Sequence, residues 1–330
     1  MWQSIGGRTM RDIRKNKIYG QEFVKINGIL QFLYHSGTNN DNPVMLFIHG
    51  GPGVSESSYA YLMQEEWEKD YTVVHFDQRG TGKTLVENPN KYPSMDDILD
   101  DTKEIVEYIK RKYKKEKVVI AGYSWGSVVG TLFTQKYPDD ILAYIGIGQV
   151  IDMMENERLL YKKLKYDFEK LGKKRYLRAL KKIGEYPEKL YSKTMRSKYD
   201  KVERLQRKSA IADGKSLFMI ISFFRSPLFR LKDLKSFILS RKSNEKLIEF
   251  LMKFNLYDYS FEYKVPIFYI LGEKDWQVPS MIAKKYFKEI KAPQKAIYII
   301  ENAKHRPMFE NKAAFDNALK DISSEIKGLN

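Results

Sequence analysis

The stretch VVIAGYSWGSVVG, residues 118–130, decides the fold. An apolar, β-branched run ends at Gly122, Ser124 follows two residues on, and a helical pattern opens near Trp125. Strand, sharp turn and helix around G-x-S-x-G is the context in which that motif sets up a nucleophile. The serine takes a strained backbone so that its Oγ stands clear of a sheet edge, and side chains at 122 or 126 would collide across so tight a bend. The helix that follows aims free N–H groups, and the positive end of its dipole, at the same point.

Working outward, runs of the same kind recur at 43–50 (PVMLFIHG), 71–77 (YTVVHFD), 117–122 (KVVIAG) and 143–149 (AYIGIGQ). Near-continuous apolarity of this sort marks strands buried on both faces of a parallel sheet. Before them, EFVKI and ILQFLYH flank Asn27-Gly28, a hairpin turn dipeptide. Between them lie two helical stretches, SSYAYLMQEEWEKD and one opening on Ser94 as N-cap with acids in its first turn. From about 150 to 262 the strand signals vanish, and leucines and phenylalanines recur at helical spacing among lysines. Strands resume at 265–272 (VPIFYILG) and 295–301 (KAIYIIE), with helices near 279–290 and 311–327. The fold class is therefore α/β: a mostly parallel sheet flanked by helices, with a helical cap inserted. The boundaries are 1–149 for the first part of the core, 150–262 for the cap and 263–330 for the second part of the core.

Composition sets limits on function. With 43% hydrophobic and 14% aromatic residues over 330 positions, the chain can bury a sizeable core. It has no cysteine, which excludes disulfides, thiolate metal sites and a cysteine nucleophile. The N-terminal residues carry no apolar leader pattern, so the expected location is the cytoplasm. Of the net charge of +16, the stretch 151–262 contributes +13, with 28 Lys and Arg against 15 Asp and Glu. The reading adopted is solvated helical faces, with contact to an anionic membrane surface as the alternative. No helix-turn-helix, RRM or zinc-finger spacing points to nucleic acid.

A serine hydroxyl needs a base within hydrogen-bond reach. In a site of this kind the chain order is nucleophile, acid, histidine. Of His35, His49, His75 and His305, only His305 follows Ser124, in the loop ENAKHRPMF. His35 and His75 fall in strand patterns and read as structural. ILGEKDWQVP offers Glu273 and Asp275 after the penultimate strand, and Asp275, further into the loop, is preferred as the residue that orients the imidazole. In FIHGGPG (47–53) a glycine-rich turn lets Gly51, or alternatively Gly50, point an N–H inward, to act with the Trp125 N–H as an oxyanion hole. DQRGTGKT (77–84) imitates a phosphate loop, but Asp77 stands at the first glycine position and two prolines follow where a helix should start. Asp77 and Arg79 are expected to brace the loops around the oxyanion turn instead.

With HGGPG (49–53), DQRGTGKT (77–84), GYSWGS (122–127), GEKDWQVP (272–279) and the late His305 in this order, the chain resembles the α/β-hydrolase superfamily, and within it the proline iminopeptidase group of serine peptidases. Lys304 and Thr84 depart from that group's usual residues. The resemblance implies Ser124, Asp275 and His305 as catalytic triad and Gly51 with Trp125 as oxyanion donors. It implies an aminopeptidase that releases an N-terminal residue, often proline, from short peptides without metal or organic cofactor. Cap acids bind the substrate ammonium in that group. In QVIDMMENERL, Gln149, Glu155 and Glu157 lie just after a strand, and Glu155 is the residue chosen for that role, with an acid in the first turn of a cap helix, offsetting its dipole, as the alternative. A carboxylesterase or amidase is the alternative, and a non-catalytic binding protein of the same fold a further one. Ser rather than Asp at 124 sets the chain apart from epoxide hydrolases and dehalogenases, which attack with a carboxylate. Oligomeric state is not legible.

Overall fold

The runs rich in valine and isoleucine become interior strands because β-branched side chains fit a pleated surface covered on both sides. The computed structural model describes residues 18–188, 191–209 and 216–327. The N-terminal stretch in which no leader was read lies largely outside them.

Eight strands form one sheet: β1 (Ile18–Ile26), β2 (Ile29–Gly37), β3 (Val44–Ile48), β4 (Thr72–Phe76), β5 (Val118–Tyr123), β6 (Ile141–Ile147), β7 (Ile267–Gly272) and β8 (Lys295–Ile300). Their order is β1-β2-β4-β3-β5-β6-β7-β8. The hairpin β1–β2 and the β2–β4 pair are antiparallel, and the remaining pairs are parallel. Side chains alternate across the sheet. Leu46, Ile48 and Ile120 enter one apolar cluster, while Phe47, Val119 and Ala121 enter the other. The chain runs from β3 to β4 in one direction and from β5 through β8 in the other, so β3 and β5 flank the point where the strand order reverses. Crevices beyond the carboxyl ends of strands at such a point are where open α/β sheets bind ligands.

Among the core helices, α1 (Gly82–Glu87), α2 (Met95–Tyr113) and α3 (Trp125–Lys136) precede the insert. Ser94 and Asp97 close a reciprocal capping box at the start of α2. The insert contributes α4 (Met153–Lys170), α5 (Lys174–Lys181), α6 (Lys193–Gln206), α7 (Ser216–Arg225), α8 (Leu234–Ser243) and α9 (Glu245–Lys253) between β6 and β7. Then α10 (Ser280–Glu289) and α11 (Lys312–Lys327) complete the core. Two expectations change. SSYAYLMQEEWEKD does not form one amphipathic helix but a 3-10 turn, Ser57–Tyr59, and two four-residue helical turns, Ala60–Met63 and Trp67–Asp70. A helix does follow DQRGT, because α1 fits its six residues in before Pro89. No helix among the described residues is long and apolar enough to cross a membrane.

Candidate active site

The strand β5 ends at Tyr123, and Ser124 turns the chain with φ 52° and ψ −118° before α3 begins at Trp125. A non-glycine residue there costs about 1–3 kcal/mol and persists only where its surroundings over-determine it. They do so through hydrogen bonds. The Ser124 N–H donates to Ile147 O at 2.9 Å. Its carbonyl accepts from the Ser127 N–H at 2.8 Å and from Ser127 Oγ at 2.6 Å. Ser127 Oγ in turn accepts from the Val150 N–H at 2.9 Å, which ties the turn to the first residues of the insert. The flanking glycines have the reason expected of them. A Cβ on Gly122 would lie 2.4 Å from Gly126 O, and one on Gly126 would lie 2.0 Å from Ile48 O.

Loops after β7 and β8 bring the partners in. His305 Nε2 lies 2.9 Å from Ser124 Oγ, and His305 Nδ1 lies 2.8 Å from Asp275 Oδ2. The other carboxylate oxygen, Asp275 Oδ1, accepts from the Gln277 and Val278 N–H groups, each at 2.9 Å. Both Asp275 and His305 are buried. Glu273 is exposed, and its Oε2 accepts from the Asn302 N–H at 2.9 Å, so it faces away from this chain of hydrogen bonds. Of the remaining histidines, His35 and His75 are buried in β2 and β4. His35 meets Glu22 at 2.8 Å, and burial pushes His75 down to about 3. His49 holds the glycine-rich turn in shape. Its Nδ1 lies 2.7 Å from Gly50 O and its Nε2 accepts from the Gln78 N–H at 3.1 Å.

Gly51, at φ +138°, and Trp125 both line a cavity of about 450 Å³ that contains Ser124 and His305. The Gly50 N–H is directed at Glu56 Oε2, 3.5 Å away. Among the described residues no hydrogen bond engages the Gly51 N–H. Asp77 braces this turn as expected, since its carboxylate accepts from Ser55 Oγ and from the Lys83 N–H. Arg79 instead reaches away from it and clasps Asp101 of α2 through two bonds of 2.8 and 2.7 Å. The lysine of the imitation phosphate loop, Lys83, is buried and paired with buried Asp233 of the insert.

The choice of Glu155 for the cavity is overturned by the phase of α4. Asp152 caps that helix, with its Oδ1 accepting from the Glu155 N–H at 2.9 Å. Glu155 thus sits outward in the first turn and pairs with Arg158. Two residues further on, about 200° around the helix, Glu157 is buried against the cavity. It accepts from Tyr186 OH. Burial pushes its carboxyl up to about 7, against the opposing effect of the Tyr186 and Asn156 hydrogen bonds. Gln149 lies within the core, bonded to Tyr144 OH at 2.6 Å. Glu56 escaped the sequence reading, although an acid within HGGPGVSES, just past the glycine turn, was the available signal. It lines the same cavity, and burial pushes it up to about 7, with Arg306 opposing. From α6, Arg196 and Glu203 also reach the cavity wall.

A sheet of this order, with a serine at the turn after β5 and a histidine after β8, defines a hydrolase architecture. The chain belongs to the alpha/beta hydrolase fold family, whose model matches residues 43–312. It is 29% identical over 308 residues, 92% of this chain and 96% of the other, to the "Probable aminopeptidase YbaC" of Bacillus subtilis (strain 168). A proline iminopeptidase of Thermoplasma volcanium is 28% identical over 168 residues, which cover 49% of this chain and 52% of that protein. Among solved structures, the proline iminopeptidase-related protein TTHA1809 of Thermus thermophilus superposes with a TM-score of 0.66 at 16% identity, covering 94% of this chain and 98% of that one. The protein is a hydrolase similar to the proline iminopeptidases. Epoxide hydrolase 4 of Homo sapiens is 29% identical over 120 residues, covering 36% of this chain and 31% of its own.

Proposed function

We propose that the protein is a serine hydrolase that works through an acyl-enzyme and releases the N-terminal residue of short peptides, proline or another small apolar residue. The observation that carries this reading is the hydrogen-bonded chain Ser124–His305–Asp275 at a cavity that also holds buried Glu157. His305 Nε2 takes the proton as Ser124 Oγ bonds to the carbonyl carbon, and Asp275 stabilises the resulting imidazolium. The Gly51 and Trp125 N–H groups receive the developing oxyanion, a donor pair in which each member contributes about 2.7–4 kcal/mol to transition-state stabilisation. Collapse breaks the C–N bond, and His305 returns the proton to the leaving amine. Water then repeats the sequence on the ester, freeing the amino acid and Ser124.

Glu157 supplies the preference for an amino terminus. An ammonium group beside it restores its ionised form and gains a charge-assisted hydrogen bond, whereas an uncharged acyl group leaves it neutral. Glu203, at the same wall, adds a second acceptor. The test pairs prolyl-naphthylamide with short acyl esters and with a fluorophosphonate probe. The expected outcome is labelling of Ser124 that vanishes in Ser124→Ala, together with turnover of the aminoacyl amide. Labelling with turnover of esters alone would transfer the site to a carboxylesterase, and absence of labelling would remove the serine mechanism.

A further inference from the structure

The insert wears part of its polarity inside out. On α8 the residues turned toward the protein are Ser236, Ser240 and Ser243, whereas Phe237 and Ile238 face outward, Ile238 with 82% of its surface exposed. The same occurs on α7, where Ser222 is buried and Ile220, Ile221 and Phe224 are exposed. Leu231, between the two helices, is 78% exposed. Phe224 and Phe237 meet at the buried ring of Phe223. The Phe223 ring lies 5.8 Å from that of Phe224, 5.3 Å from Phe229 and 4.9 Å from Phe237, so an aromatic seam joins α7 to α8. A folded protein leaves large apolar side chains grouped in water only where something else is to cover them.

The charge on these elements says what that is. Residues 216–243 carry six cations, Arg225, Arg230, Lys232, Lys235, Arg241 and Lys242, and a single acid, Asp233, which is buried against Lys83. On the helical wheel of α8, Lys235, Arg241 and Lys242 flank Ile238 on the outward half. Among the described residues no ion pair involves Arg225, Lys235 or Lys242. A second copy bound by two-fold pairing would set this cationic face against itself, so self-association is opposed by the same residues.

We propose that the face built from α7, Leu231 and α8 docks the protein on an anionic bilayer surface. Leu231, Ile238 and the α7 side chains enter at headgroup depth, and the lysines and arginines around them meet lipid phosphates. The inference stands apart from the reaction assigned to Ser124, since none of these side chains lines the cavity.

Flotation of the full chain with phosphatidylcholine vesicles, and with the same vesicles containing phosphatidylglycerol, tests this. Binding is expected to the anionic vesicles alone, at low salt, and to fall steeply as salt rises. The double variant Leu231→Asp/Ile238→Asp abolishes it, and Lys235→Glu/Lys242→Glu weakens it by about thirtyfold or more. Both variants keep the wild-type rate on a soluble substrate, which shows that they are folded. Failure of the wild type to float with anionic vesicles, binding indifferent to salt, or equal binding by the aspartate pair would overturn the proposal. So would a wild-type dimer in sedimentation velocity that the aspartate pair converts to monomer, because a second copy would then cover the face.

Discussion

Replacing Glu157 by Gln removes a buried carboxyl while keeping its shape and its acceptor for Tyr186 OH. Glu157 is 3% exposed and its folded-state value is pushed from 4.5 to about 7, a difference worth about 3 kcal/mol of folding free energy. The sign follows from proton counting. Between pH 4.5 and 7 the folded state holds the proton and the unfolded state has released it, so raising the pH through this window costs stability. Below the window both carboxyls are neutral and the variant matches the wild type. Above it the variant is the more stable protein by about 3 kcal/mol. Urea unfolding of both proteins at a series of pH values from acid to mildly alkaline reads this directly. Glu56 contributes a slope of the same sign to both proteins, and subtraction cancels it. On the proposed function the variant also lacks the carboxylate that meets the substrate ammonium, so kcat/KM on an aminoacyl amide drops about ten- to a hundredfold while ester turnover is spared. A stability difference that stays constant with pH would refute the reasoning, because it would mean that Glu157 ionises freely in the folded state.

Other perturbations test separate links. Asp275→Asn leaves the fold intact but frees His305 to take the wrong tautomer, and kcat falls by about 10⁴ in steady-state assays. Gly126→Ala drives a Cβ to 2.0 Å from Ile48 O, and urea unfolding will show a loss of about 3 kcal/mol, with Ser124 displaced. Lys83→Met leaves Asp233 buried with Arg230 as its remaining cation, and thermal unfolding will register a cost of about 3 kcal/mol; an unchanged midpoint would mean that the pair is solvated.

Much of this was legible because local pattern and tertiary role coincide. The runs that became β3 to β8 are apolar on both faces, a pattern that few environments besides a covered parallel sheet can satisfy. Ser124 and its glycines carry their own steric logic, and His305 was reached by chain order alone. The failures have a common cause. Which face of α4 meets the cavity depends on the helix phase set by the Asp152 cap, so that Glu157 rather than Glu155 lines it. The broken helix at 57–70 reflects the need to carry the chain from the glycine turn over the sheet, a tertiary demand that overrode propensity. The outward turn of Phe237 and Ile238 is a property of where α8 is fastened, with Ser236 and Ser243 buried on its other side.

That fastening has a dynamic consequence. Lys83 and Asp233 rivet one margin of the insert to the core, and Asn244 adds a second rivet through Gly80 O at 2.7 Å. The opposite margin, α4 to α6, is stitched more lightly, by Asn156 to Gln277 O at 2.8 Å and Gln206 to Gln277 at 3.4 Å. The insert cannot swing away as one body without tearing a charge pair out of a dry site. Passage to Ser124 therefore belongs to breathing of the lightly stitched margin, and amide exchange along residues 193–206 should outpace that along 234–253.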